Sequence, residues 1–316
     1  MAEVAVPLTE RTVPGSGGIA LHVRTWGDPA DPTVVLVHGF PDTSAVWTPV
    51  AEALAEHGHH VAAYDVRGAG ASEAPPTTDG YAIEHLNGDL AAVVDAVSPE
   101  RPVHLVGHDW GSIQSWAALV DPRLEGRIAS FTSVSGPPLD HAARWLRARL
   151  RDRSFLTLLR QGFRSSYVVA FHVLGLGGGR AVARSAGRSR ALWSRVLRRV
   201  DGARTDETWP APTFGQDVAH GMQLYRANFR SSFRHPGEPR PFARPVLLVV
   251  PTRDRFVPEW LFEGIEDVAP DLRRRTVPAR HWGVVRGQPV DLAAWIAAFT
   301  AEVDGRPAPA LEEARS

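Results

Sequence analysis

The sequence contains no cysteine and no lysine among its 316 residues. Without cysteine, disulfides, thiolate nucleophiles and cysteine-ligated zinc are excluded. Without lysine, a Schiff-base amine and a phosphate-binding P-loop are excluded as well. The formal net charge is zero, because 35 basic residues balance 35 acidic ones. The composition therefore gives no electrostatic reason to expect nucleic acid or a membrane surface as a partner.

Long apolar runs are absent too, since none approaches the roughly 20 residues that a membrane-spanning helix needs. Residues 1–18 contain acidic side chains and no apolar block, so they do not resemble a secretion signal. A chain of this length can bury one large core, alone or with a small second domain. The expectation is a soluble cytoplasmic protein.

What is present is an alternation of short β-branched runs with amphipathic helical patterns. Helices are predicted over residues 44–57 and 83–97. The predicted strands are residues 19–26, as a half-buried edge, and 33–37, 61–65, 103–106 and 128–134, as buried strands. Elements that alternate at this spacing predict an α/β fold with a mostly parallel central sheet and helices on both faces.

The alternation stops after residue 135 and resumes near residue 245. The intervening stretch is rich in arginine and places apolar residues at helical spacing, so it predicts a helical cap inserted over the strand ends. The predicted organisation is a first core part over residues 1–135, an α-helical cap over 136–241, a second core part over 242–303 and a disordered tail over 304–316.

The strongest chemical signal is the sequence GHDWG at residues 107–111, directly after a predicted strand. This small–x–nucleophile–x–small pattern is typical of a strand-to-helix elbow, here with aspartate where serine is common. A free aspartate has a pKa near ~3.9, so the carboxylate is ionised at neutral pH and suits attack on an electrophilic sp³ carbon. Asp109 is therefore the predicted nucleophile. The alternative is an N-cap of the following helix.

These motifs and their order resemble the α/β-hydrolase superfamily and, within it, the epoxide-hydrolase branch. The similarity covers about residues 13–299 and extends to the hydrolase halves of fusions between a hydrolase and a short-chain dehydrogenase. The family order of nucleophile, acid and histidine implies that Asp254 is the acid and His281 the base that activates water. The alternative for Asp254 alone is a surface aspartate in a turn, and the alternative for His281 alone is a solvated histidine.

The resemblance also places the oxyanion hole at the backbone amides of Phe40 and Trp110, with His38 in the same HGFP motif at the substrate site. Haloalkane dehalogenases share the elbow but usually carry Asn where Phe40 stands, and Phe40 has no side-chain donor. Fluoroacetate-type dehalogenases accept Phe there but usually carry Arg where Trp110 stands. Halide release is therefore disfavoured and stays open as an alternative.

Opening an epoxide also needs an acid for the leaving oxygen, and the family uses two cap tyrosines. Of four tyrosines, Tyr167 and Tyr225 fall in the predicted cap, and the resemblance assigns this role to them. A phenol can donate to the oxygen while it stays protonated, because its pKa is near ~10. The alternative for each is a core tyrosine with a satisfied hydroxyl.

The sequence thus predicts an epoxide hydrolase that converts an oxirane to a vicinal diol through an ester on Asp109. It implies a small apolar or amphipathic epoxide as partner, no cofactor, metal, nucleic acid or membrane, and a monomer or homodimer. The alternatives are a dehalogenase, another hydrolase with the same nucleophile, such as one for strained lactones, and a non-catalytic binding protein of this fold. His57, His59 and His60 predict a solvated turn rather than a zinc site.

Overall fold

The computed structural model describes residues 8–164 and 185–307. At its centre is an eight-stranded sheet in the order β1-β2-β4-β3-β5-β6-β7-β8. Its strands are β1 Leu8–Pro14, β2 Ala20–Trp26, β3 Thr33–Val37, β4 His60–Tyr64, β5 Val103–His108, β6 Ile128–Val134, β7 Val246–Pro251 and β8 Leu272–Val277. The pairings from β4 across to β8 are parallel, and only those of β1 and β2 are antiparallel. The predicted mostly parallel sheet is confirmed.

Helices cover both faces of this sheet. They are α1 Thr48–Glu56, α2 Ile83–Val97, α3 Trp110–Ala118, α4 Leu139–Arg151, α5 Phe155–Arg164, α6 Ala186–Val196, α7 Phe214–Arg234 and α8 Pro289–Val303. The apolar sides of α1 and α8 join one core cluster, and those of α2 and α3 join the other. Among the helices in the described ranges, none combines the length and apolarity needed to cross a membrane.

The two cores follow from the period of two along each strand. In β3, Val35 and Val37 face the core beneath α2 and α3, whereas Val34 and Leu36 face the core beneath α1 and α8. All five residues of β3 are buried. A strand that is apolar on both sides can be satisfied only in the interior of a sheet with helices on both faces, which is the position that β3 occupies.

Between β6 and β7 the described elements are helical, and the described residues from the start of α4 to the end of α7 are called the helical insertion. Its longest helix, α7, contributes Met222, Leu224 and Tyr225 to the core beneath α2 and α3. The insertion is thereby packed onto the carboxyl ends of the strands, where parallel sheets bind their ligands.

Three local predictions are wrong. The predicted edge strand, β2, is covered on its outer side by β1, whose residues are exposed on both faces except Val13, so β1 shows no alternation. The helix predicted from residue 44 starts as a 3₁₀ turn, and α1 begins only at Thr48 with a proline in its first turn. His59 and His60 are buried rather than solvated, and His59 Nε2 lies 2.9 Å from Thr300 Oγ1.

The start of the predicted tail lies against the core. Asp304 Oδ1 lies 3.2 Å from Nε2 of His104, and the Arg306 guanidinium donates to the Asp304 carboxylate. The predicted disorder of residues 304–316 stays a prediction, and residues 308–316 lie outside the described residues.

Candidate active site

Asp109 stands at the turn between β5 and α3, in a backbone conformation that non-glycine residues rarely adopt (φ 52°, ψ −121°). The glycines around it are required by close backbone contacts. A Cβ on Gly111 would lie 2.0 Å from the Val37 carbonyl oxygen, and one on Gly107 would lie 2.6 Å from the Gly111 carbonyl oxygen. This is the strand-to-helix elbow that the glycine pattern predicts.

The Asp109 side chain does not cap α3. Its Oδ2 instead accepts a 2.8 Å hydrogen bond from the backbone amide of Phe40. Burial raises the pKa of Asp109, while His281 and the amides of Phe40 and Trp110 favour the ionised form and oppose that effect. The two amides predicted to form an oxyanion hole therefore both act on this carboxylate.

Asp254 follows β7 and His281 follows β8, and the structure brings them together. The Nδ1 of His281 lies 2.8 Å from Oδ2 of Asp254. The other oxygen of Asp254 accepts from the amides of Phe256 at 2.8 Å and Val257 at 3.0 Å. These bonds fix the carboxylate, which fixes the imidazole in turn. His281 then presents Nε2 toward Asp109, 3.7 Å from Oδ1.

The charged side chains close to His281 in the structure differ in their burial. Asp254 is buried, whereas its sequence neighbours Arg253 and Arg255 are exposed, so solvent screens their positive charges. Burial alone would lower the pKa of His281, but the carboxylates of Asp254, Asp109 and Asp201 outweigh it and raise the pKa to about 9.

Asp109 and His281 open into a cavity of about 300 Å³ under the helical insertion. Its described walls are Phe40, Pro41, Asp109, Trp193, Phe214, Val218, Tyr225, Phe256, His281 and Trp282. Seven of these ten are apolar or tryptophan side chains, so the cavity suits an apolar ligand with one reactive polar group. In the described part of the chain, no group of three or more His, Asp or Glu is placed to hold a metal ion.

Tyr225 is the predicted tyrosine that the structure places in this cavity. It is buried on α7, and its ring meets Phe40 and Trp110 edge-on at centroid distances of 5.5 and 5.0 Å and stacks on Phe229 at 5.4 Å. The ring is therefore held over the elbow from the insertion side. Tyr167 lies outside the described residues, so its role stays a prediction.

His38 lies behind the site rather than on the wall of the cavity. Its Nε2 accepts a 2.9 Å hydrogen bond from the amide of Val66, so its Nδ1 carries the proton that bonds the Gly39 carbonyl at 2.8 Å. Burial lowers the pKa of His38, which keeps the ring neutral in this role. His38 thus ties the loop after β3, which carries Phe40, to the residues after β4.

Two buried carboxylates beside the site were not predicted. Asp42 accepts from the indole nitrogens of Trp209 and Trp282, each at 2.8 Å, and burial raises its pKa to about 7. Asp201 accepts from the backbone after His281. Asp42 directly follows the HGFP motif at a strand end, which is a usable signal. Nothing local marks Asp201.

Comparison with known proteins gives a consistent result. Residues 32–287 match the family described as the alpha/beta hydrolase fold. A Mycobacterium tuberculosis protein named probable oxidoreductase EphD is 36% identical over 305 residues, which are 94% of this chain and 50% of that protein. Epoxide hydrolase A of the same organism is 42% identical over 135 residues, which are 42% of this chain and 40% of that protein. The chain spans about half the length of the curated relatives it matches.

Solved structures give the same fold. An epoxide hydrolase variant from Bacillus megaterium with its bound product has a TM-score of 0.74 at 22% identity, over 90% of this chain and 98% of that one. An epoxide hydrolase from Vigna radiata has a TM-score of 0.68 at 23% identity, over 93% of this chain and 98% of that one. At these identities the likeness concerns the fold.

Proposed function

The chain belongs to the α/β-hydrolase fold family, and on that premise we propose that it is an epoxide hydrolase. The observation that carries the proposal is the surroundings of Asp109. One oxygen is held by the Phe40 amide, and the other faces His281, which is oriented by Asp254. The epoxide hydrolase names of several relatives agree with this. The relative named as an oxidoreductase is matched over 50% of its length.

In the first step, Oδ1 of Asp109 attacks an oxirane carbon and the ring C–O bond breaks. The alkyl-enzyme ester forms, and the released oxygen takes a proton from a tyrosine hydroxyl. Tyr225 is the proposed donor, because it lines the cavity with Asp109, and Tyr167 is the proposed second donor. Oδ2 stays bonded to the Phe40 amide throughout. The nucleophile therefore keeps its orientation while its other oxygen reacts.

In the second step, a water gives a proton to Nε2 of His281 and attacks the ester carbon of Asp109. Negative charge develops on Oδ2, which the amides of Phe40 and Trp110 stabilise. The diol leaves with a proton from His281. The remaining proton of the water passes from the Asp109 carboxyl group to the tyrosinate left by the first step, so the carboxylate and the phenol are both restored. Esterification removes one of the three carboxylate charges that raise the pKa of His281, so the imidazole loses its proton more readily at the stage where it acts as base.

The apolar walls set the proposed substrate class. We infer a small apolar or amphipathic epoxide, with the helical insertion acting as the cap that excludes water. Four of the walls, Trp193, Phe214, Val218 and Tyr225, come from the insertion, and the rings of Trp193 and Phe214 stack at 6.2 Å. Water exclusion strengthens the electrostatic interactions with Asp109 and keeps the ester from indiscriminate hydrolysis.

Trapping the ester tests this mechanism directly. His281→Gln removes the base but leaves the nucleophile and the oxyanion amides, so the first step proceeds and the second stops. Incubated with a panel of small epoxides, this variant should gain the mass of one epoxide in intact-protein mass spectrometry, and peptide mapping should place the adduct on Asp109.

The matched control is the double variant His281→Gln with Asp109→Asn, which should gain no mass. If wild type forms diols while His281→Gln forms no adduct, the two-step mechanism is wrong. If wild type binds the epoxides without turnover and Asp109→Ala binds them equally well, the chain is a binding protein rather than an enzyme.

Halide release is a second candidate on one observation. The indole nitrogen of Trp110 is buried and has no hydrogen-bond partner among the described residues. A leaving halide needs such an N–H donor. Trp110 is not among the described residues that line the cavity, however, so we favour the epoxide reaction over halide release. Halide ion measured during incubation with haloalkanes, together with no diol from epoxides, would favour the second candidate.

A further inference from the structure

Asp201 is a buried carboxylate of the helical insertion that reaches the loop of the histidine. It ends a π-helical turn, Leu197–Asp201, that continues α6, and it is 8% exposed. Its Oδ2 accepts two hydrogen bonds, from the amide of Trp282 at 2.5 Å and from that of Gly283 at 2.9 Å. These two amides belong to the residues directly after His281.

The contact leaves little room for the loop to move. A Cβ on Gly283 would lie 2.7 Å from the Asp201 carbonyl oxygen, so the two backbones touch. On the other side of His281, the Arg280 guanidinium donates to the Val200 carbonyl. The loop of the histidine is therefore bonded to the same turn of the insertion both before and after the imidazole.

The ionisable groups that face His281 come from several elements. Asp109 follows β5, Asp254 follows β7, Asp42 lies in the loop after β3 and Asp201 comes from the insertion. His108 on β5 packs against the imidazole at a centroid distance of 4.6 Å, and burial lowers its pKa. Asp254 and Asp109 belong to the proposed mechanism. Asp201 is a third carboxylate that raises the pKa of His281, and the mechanism does not use it.

We propose that Asp201 is a positioning residue for the base: it fixes the loop of His281 against the helical insertion and adds a carboxylate charge beside the imidazole. Its role toward a base rests on the proposed function. The two amide donors lie on the loop of His281 and the acceptor, Asp201, lies on the insertion. The position of the imidazole therefore depends on how the insertion packs against the core.

The variant Asp201→Asn separates the charge from the hydrogen bonds. Both bonds end on one oxygen, so the amide oxygen of Asn can accept them while the charge is lost. We expect the pKa of His281 to fall by about one unit. The measurement is a ¹⁵N NMR titration of the imidazole, assigned by the signal that disappears in His281→Gln.

The matched control is Asp217→Asn. Asp217 is also a buried carboxylate of the insertion, and it accepts from the backbone amide of Gly70 at 2.9 Å. It is not among the groups that act on His281, so this variant should leave the imidazole titration unchanged. An Asp201→Asn protein that is folded and titrates at the wild-type pH overturns the proposal.

A reciprocal measurement needs no change at Asp201. Coupling between two ionisable groups is mutual, so the imidazolium must lower the pKa of Asp201 as much as the carboxylate raises that of His281. The amide shifts of Trp282 and Gly283 report the ionisation of Asp201, and their midpoint should move to higher pH in His281→Gln. An unmoved midpoint contradicts the proposal even if Asp201→Asn fails to fold.

These titrations use no epoxide, so they stand apart from the proposed function. A wild-type protein that forms no diol would remove the role of base and leave the titration result intact. In an active enzyme, the low-pH limb of the kcat profile should move to lower pH in Asp201→Asn, because kcat includes the ester hydrolysis in which His281 is the base. A role in folding alone would lower the amount of active protein without moving that limb.

Discussion

At Asp109 the two carboxylate oxygens have different surroundings. Oδ2 accepts from the Phe40 amide, whereas Oδ1 lies 3.7 Å from Nε2 of His281. The two oxygens of a carboxylate are chemically equivalent, so any difference in their reactivity comes from these different surroundings. The oxygen with the fixed donor suits the developing oxyanion, and the other suits the bond to carbon. The raised pKa of the buried Asp109 makes these donors necessary.

Replacing Tyr225 with phenylalanine tests the proposed acid. The ring contacts with Phe40 and Trp110 remain, so the fold and the cavity should be unchanged. Loss of the hydroxyl should slow adduct formation in the His281→Gln background by about 10²-fold or more, the usual worth of a positioned acid. Stopped samples analysed by intact mass give the rate.

The control for Tyr225→Phe is Tyr81→Phe. Tyr81 is buried at the end of the 3₁₀ turn before α2 and is not among the described residues of the cavity wall. This variant should form the adduct at the unmodified rate. Equal rates in both tyrosine variants would remove Tyr225 from the mechanism.

At the scale of elements, the site is assembled from loops at one edge of the sheet. Phe40 follows β3, Asp109 follows β5, Asp254 follows β7 and His281 follows β8. These four strands are parallel, so their carboxyl ends meet at the same edge. β6 lies between β5 and β7, and the loop after it continues into the helical insertion. One sheet edge thus supplies both the site and its cover.

The elbow between β5 and α3 gives a stability prediction. Gly111→Ala would place a methyl group 2.0 Å from the Val37 carbonyl oxygen, so backbone must move. We expect a loss of about 1–3 kcal/mol in the free energy of unfolding, measured by urea titration. Because the elbow holds Asp109, the variant should also form the ester more slowly.

Gly162→Ala is the matched control on the same scale. Gly162 lies inside α5, and an added Cβ would meet nothing within 4 Å. Alanine in a helix interior is favoured over glycine by about 0.5–1 kcal/mol, so this variant should be slightly more stable than wild type. Two glycine-to-alanine changes should therefore have opposite signs, and equal losses would refute the backbone clash at Gly111.

At the scale of the whole molecule, Asp42 joins three parts of the chain. It lies in the loop after β3, and its two oxygens accept from Trp209, between α6 and α7 of the insertion, and from Trp282 beside the histidine. Burial raises its pKa to about 7, and the two indole donors oppose that effect only in part. A carboxyl group with a raised pKa thus lies where these three parts of the chain meet.

This raised pKa predicts a pH dependence of stability. Between pH of about 4 and about 7 the unfolded chain has already lost the Asp42 proton and the folded protein keeps it. The folded state therefore binds more protons, and its stability falls as pH rises through this window. Asp42→Asn lacks this slope. As pH rises through the window, the free energy of unfolding of this variant should therefore increase relative to that of wild type by at least about 1.4 kcal/mol.

Urea titrations at several pH values measure the difference. The variant Asp79→Asn removes an exposed carboxylate and controls for the loss of one acidic residue. Parallel curves for wild type and Asp42→Asn would show that Asp42 ionises in the folded protein as it does in the unfolded chain.

The sequence by itself determined the parallel part of the sheet, the elbow and the order of the site residues. Each depends on local pattern: β-branched runs make strands, glycines permit the turn at Asp109, and residues after parallel strands meet at one edge. The pairing of Asp254 with His281 was implied by the family resemblance, and the two side chains lie 2.8 Å apart. The resemblance to α/β-hydrolases followed from the same motifs, and the family match bears it out.

Only the tertiary structure decided which further groups surround the histidine. Asp201 is 81 residues from Trp282 and Asp42 is 240 residues from it, so local sequence patterns predict neither of these contacts. The contact of Asp201 exists because the helical insertion packs over the strand ends, and that of Asp42 because the loops after β3 and β8 meet at the same edge of the sheet. Packing of the insertion also placed Tyr225 in the cavity, whereas His38 lies behind the loop because its ring bonds the backbone after β4.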